Sequence, residues 1–67
     1  MAIQSIVFDN RYWSIPMAVK WLKDHGYKAT KVDTKFRTYR FRQLNPKLFT
    51  KFRTKSTTQG ITFIIGF

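Results

Sequence analysis

Between Ser14 and Gly26 the apolar residues Ile15, Ala18, Val19 and Leu22 recur at the i, i+3, i+4, i+7 spacing of an amphipathic helix, and this is the one clear helix in the chain. Trp21 lies beside that stripe, while Lys20, Lys23 and Asp24 face outward. Ser14 has the chemistry of an N-cap, and Pro16 is tolerated in the first turn because its missing N–H has no intrahelical partner there. His25 in the last turn and Gly26 beyond it close the helix. A single helix cannot bury its apolar stripe alone, so the remaining segments are expected to supply a sheet for it to cover.

The chain has 67 residues and no cysteine. That is one domain, 1–67, near the lower size limit for folding without staples, and neither a disulfide framework nor a thiolate metal site is available to it. Aromatic residues make up 18% of the sequence, with seven Phe, three Tyr and two Trp. Each aromatic ring buries a large area, so this content is sufficient for a compact core and argues against disorder.

The strand signals surround the helix. Ile3–Phe8 is β-branched and aromatic and reads as a first strand. Lys28–Asp33 is a strand suited to an edge because of its lysines, and Thr34–Phe36 is the turn that follows. In Arg37–Gln43 the side chains of Arg37, Tyr39 and Phe41 alternate with those of Thr38, Arg40 and Arg42. If Tyr39 and Phe41 are core, Arg40 and Arg42 point outward; the opposite register buries cations without carboxylate partners. Asn45 is placed to cap a short helical turn through Pro46–Phe52, followed by a polar loop at Thr54–Gln59. Gly60–Phe67 is a final strand with Ile61, Phe63, Ile65 and Phe67 on one face. The expected order is therefore β-α-β-β-(short α)-β: an α+β fold, a small four-stranded antiparallel sheet with one main helix, in a miniature ferredoxin-like arrangement. A β-α-β-β-β sheet with its single helix packed across it is the alternative.

The pentapeptide TKFRT occurs at Thr34–Thr38 and again at Thr50–Thr54, in the most basic part of the chain. From Thr34 to Lys55 there are eight Lys or Arg and no Asp or Glu, and the formal net charge of the whole chain is +10. Phe36, Tyr39, Phe41, Phe49 and Phe52 are interleaved with these cations. Cations neutralise phosphates and release counterions, and aromatic faces stack on exposed bases, so this composition points to nucleic acid. On the plainer reading the aromatics are the core of the sheet and the cations its wet face, which leaves the charge imbalance without a purpose. The candidate nucleic-acid-binding residues are Arg37, Arg40, Arg42, Lys47, Lys51, Arg53 and Lys55, with the last three forming an arm beside the sheet and joining Arg37, Arg40 and Arg42 in one groove.

No catalytic constellation is present. The acidic residues are Asp9, Asp24 and Asp33 alone, unpaired at helix or strand spacing, and His25 has no companion ligand. Trp13, just before the helix, is placed to staple its first turn. There is no phosphate-cradling glycine loop or metal motif, so no enzyme activity, cofactor or metal is expected. No apolar run is long enough for a membrane helix, and the start lacks a signal-peptide pattern; an intracellular or virion-interior location is expected.

At Trp21-Leu22-Lys23-Asp24-His25-Gly26-Tyr27-Lys28, Tyr39-Arg40-Phe41-Arg42-Gln43 and Phe52-Arg53-Thr54-Lys55 the chain resembles a small basic domain of phage and other virus-associated proteins. The shared pattern runs WLKxHGYK, YRFRQ, a proline, FRTK and GI, and spans the chain from the first strand to Gly66. The resemblance implies viral or mobile-element origin and carries no activity or site residues with it. The expected function is phosphate-directed nucleic-acid binding, DNA or RNA, with little sequence preference. The alternative is a viral inhibitor or adaptor docking on an acidic protein surface, and pairing of copies through an open sheet edge is a further expectation.

Overall fold

The first strand, β1 (Ala2–Asp9), lies in the middle of the sheet, and its apolar residues Ile6 and Phe8 are fully buried. A computed structural model describes residues 1–67. After β1 come the helix α1 (Ile15–Asp24), β2 (Val32–Thr34), β3 (Thr38–Arg42), a single 3-10 turn at Pro46–Leu48, β4 (Phe52–Ser56) and β5 (Ile61–Gly66). All pairings are antiparallel, and the strand order is β2-β3-β1-β5-β4.

The helix forms as its caps dictate. Ser14 is extended, and its hydroxyl accepts the Met17 N–H at 3.4 Å. At the other end Tyr27 N–H donates to the Leu22 carbonyl at 2.8 Å and Gly26 N–H to that of Lys23 at 3.2 Å. Together they make a Schellman closure, which needs a left-handed residue; Gly26 supplies it at φ +78°. The His25 ring stacks on Trp21 with centroids 3.9 Å apart, and its Nδ1 lies 2.8 Å from the Trp21 carbonyl oxygen, which ties it to the helix terminus.

Ala18 and Leu22 of α1 press on Ile6 and Phe8 of β1, Phe41 of β3 and Ile61 of β5, and these six residues are the whole fully buried apolar core. Phe8 is its hub, meeting Trp13, Phe41 and Trp21 edge to face at centroid distances of 5.0, 5.6 and 5.8 Å. Trp13 works as a staple of the sheet rather than of the helix alone: its indole N–H donates to the Gln59 carbonyl at 2.7 Å, across the β4–β5 turn. A bulge in β1 between Ile3 and Ser5 leaves Gln4 out of the ladder with β5. Its carbonyl accepts the N–H groups of Gln43 and Leu44, and its side-chain amide donates to the Leu44 carbonyl at 2.9 Å. No buried side-chain polar atom is left without a partner.

Three expectations are corrected. The sheet has five strands, not four, and the added strand β4 occupies residues assigned to the end of a short helix and to a polar loop. Helical structure stops after one turn because Phe49 turns extended, at φ −126° and ψ 151°, and lays its ring on Gly66. Thr50 and Lys51 then pair with Phe67, which commits the following residues to the β5 edge. The ferredoxin-like arrangement is not confirmed, since the second helix it requires is replaced by this 3-10 turn and strand. At the opposite edge, β2 is shorter and later than Lys28–Asp33. The Gln43 side chain accepts the Lys28 N–H and donates to the Lys28 carbonyl, both at 2.8 Å, so that backbone is satisfied without a strand partner.

Gly66 matters for its missing side chain. A Cβ there would stand 2.3 to 2.6 Å from three carbons of the Phe49 ring. Gly66→Ala is expected to destabilise the fold by about 1–3 kcal/mol by overpacking. In thermal melts, adding Phe49→Ala to Gly66→Ala is expected to cost less than the two single changes summed, because the clash is shared.

Candidate nucleic-acid interface

Cross-strand partners share a face of a sheet, so the register assigns every side chain to the helix-covered side or the open side. Phe41 stands opposite Ile6 and Tyr39 opposite Phe8, all toward α1. Arg40 opposite Val7 and Arg42 opposite Ser5 therefore project from the open face, as the alternation of that strand predicts, and both are solvent-exposed. They share a concavity of about 380 Å³ with Lys31, floored by the buried Gln4 and Ser5, with Asp33 and Pro46 also lining it. Lys47 follows Pro46 in the 3-10 turn, its N–H donating to Asn45 Oδ1 at 2.9 Å.

Arg37 lies outside β3, in the bend before it, with its guanidinium 5.6 Å from the exposed Phe36 ring. Asn10 fixes that bend: its backbone N–H donates to the Arg37 carbonyl at 2.9 Å and its side-chain amide to that of Phe36 at 3.2 Å.

Lys51, Arg53 and Lys55 are not in the same groove. β1 and β5 lie between β3 and β4, which sets the two groups about 14 Å apart across the sheet. Arg53 is opposite Ile65 and Lys55 opposite Phe63, and Phe63 packs against the core. Both cations thus stand on the helix side of the sheet, beyond the area that α1 covers, and are exposed. The single groove expected of these residues is replaced by two basic surfaces on opposite faces. Lys31 was missed as a site residue; only the pairing of β2 with β3 brings its end of the chain beside Arg40 and Arg42, and nothing in the local sequence marks that pairing.

The charge pairing is lopsided. Asp9 pairs with Arg11 at 2.8 Å, Asp24 with Lys20 at 2.7 Å, and Asp33 lies 3.8 Å from Lys35. These pairs engage all three acidic side chains and three of the thirteen cations, leaving ten cations without an acidic partner, including all seven candidate residues. Hydrogen bonds from the Arg11 side chain and then from its backbone N–H hold the Asp9 carboxyl below its ordinary range, and Asp9 in turn raises Arg11. Arg37 adds a weaker attraction to the same carboxylate, which offers no relief to Arg40 or Arg42.

No group of three or more His, Cys, Asp or Glu side chains is placed to hold a metal ion, and no helix is long and apolar enough to cross a membrane. The chain is a small α+β domain, one helix on a five-stranded antiparallel sheet, with uncompensated positive charge on both faces of that sheet. Comparison adds no relatives: no family model, no curated protein and no solved structure matches it.

Proposed function

We propose that this domain is a non-enzymatic nucleic-acid-binding protein, directed to the phosphate backbone with low sequence specificity, and of viral or mobile-element origin. The observation that carries the reading is the set of ten cations with no acidic partner on a 67-residue fold. Mutual repulsion of that size opposes compaction and is relieved by a polyanion. Arg40, Arg42 and Lys31 around one concavity suit a phosphate group, since guanidinium groups donate several hydrogen bonds in a fixed fork. The resemblance to phage and virus-associated domains supports the origin.

A second reading, docking on an acidic protein surface, is favoured by β4, which pairs on one side only and is free to accept a partner strand. Fluorescence anisotropy with labelled single-stranded DNA, duplex DNA and RNA, each competed with poly-glutamate, separates the two. Binding that polynucleotides compete for and poly-glutamate does not supports the first reading. Equal competition by poly-glutamate overturns it in favour of the second.

A further inference from the structure

The two basic surfaces differ in one respect. The concavity around Arg40 and Arg42 is lined by a single apolar side chain, Val32, and by no aromatic ring. At the far edge of the sheet, Lys51, Phe52, Arg53 and Phe67 line one shallow depression, with Lys51, Arg53 and Phe67 toward the helix side and the Phe52 ring, opposite Gly66, toward the open side. Phe52 is 46% exposed and Phe67 42% exposed. We propose that this β4 edge is a base-stacking subsite, giving the protein a preference for single strands over duplex; the inference rests on the nucleic-acid reading above.

The rings are held rather than loose. Phe67 N–H donates to the Lys51 carbonyl at 2.9 Å, while the Phe67 carbonyl accepts from Thr50 and Lys51 at 2.9 and 3.3 Å. Phe52 is fixed in the ladder opposite Gly66 and braced by Phe49, whose ring meets it edge to face at 6.1 Å. The Arg53 guanidinium lies 5.6 Å from the Phe67 ring, so a cation and an aromatic surface are presented together. Lys51, Arg53 and Lys55 have no acidic partner, which makes the surroundings attractive to phosphates. A strand wrapped over this edge meets the Phe67 ring and its cations on one face and the Phe52 ring on the other, which matches what a single-stranded polynucleotide offers, bases with free π-faces at intervals along a charged backbone. In a duplex those faces are stacked inside, and an acidic polypeptide has no use for the rings.

The test compares oligo-dT with an abasic deoxyribose-phosphate strand of equal length, which keeps the phosphates and removes the bases. Wild type is expected to bind oligo-dT about tenfold more tightly, the contribution of roughly one stacked base. Phe52→Leu with Phe67→Leu is expected to remove that difference while leaving the abasic affinity unchanged. Ring-proton shifts of Phe52 and Phe67 in the wild type, induced by oligo-dT and not by the abasic strand, give a readout that does not depend on the variant. Equal wild-type affinity for the two strands, or absent ring shifts, overturns the stacking subsite and leaves the phosphate reading standing. Binding to neither strand overturns the phosphate reading and the subsite together.

Discussion

Phe8→Ala is expected to lower the stability of the protein by about 3–5 kcal/mol, to between zero and roughly 2 kcal/mol at 25 °C. Phe8 is fully buried near the C-terminal end of β1, paired with Tyr39 on one side and Ile61 on the other, and it touches three aromatic rings. Truncating such a ring removes its transfer free energy and leaves a cavity that antiparallel neighbours on both sides prevent from collapsing, a loss of about 3–5 kcal/mol. Natural domains are stable by about 5–15 kcal/mol, and one with six fully buried apolar residues and no staple belongs at the bottom of that range. Far-UV circular dichroism and the dispersion of amide signals report the loss directly. Phe36→Ala, at a ring 89% exposed, is the matched control and is expected to melt as wild type does. A cooperative Phe8→Ala melt close to that of wild type contradicts the assignment of Phe8 as the hub.

Replacing Arg40 and Arg42 together with alanine is expected to weaken polynucleotide binding on the order of a hundredfold at low salt, since each lost charge-assisted hydrogen bond is worth about 1.5 kcal/mol or more. The loss should be the same for every sequence tested, because contacts to phosphate position a strand without reading it. The fold should be untouched: both side chains are exposed, and neither takes part in an ion pair. Anisotropy titrations beside thermal melts check both halves of the expectation. A double variant that binds like wild type contradicts the open-face site.

What could be read in advance follows from where burial leaves a mark. The helix was legible because Ile15, Ala18, Val19 and Leu22 repeat at its period between a Ser cap and a Gly stop. The outward direction of Arg40 and Arg42 was legible because the other register buries two unpaired cations. β4 was not legible, since all five of its residues are exposed and none belongs to the buried core, while a backbone ladder with β5 pairs it to the sheet. Without a buried side, Phe52–Ser56 has no alternation to betray a strand. The replacement of Lys28 ladder bonds by the Gln43 amide was hidden for a related reason: it depends on a contact between residues 15 apart in the chain. The division of the cations between two faces depends on strand order, which local patterns do not encode. Lys31 and Phe67 gained their places in the same way, from pairings rather than from neighbours.

The most direct measurement is the affinity of the intact protein for an unstructured single strand as salt is raised from about 50 to 200 mM. With Lys31, Arg40 and Arg42 all engaged on phosphates, the logarithm of the binding constant is expected to fall linearly with the logarithm of salt at a slope of about −2 or steeper. An affinity that does not change with salt, or no binding at the lowest salt, contradicts a surface built to meet a polyanion.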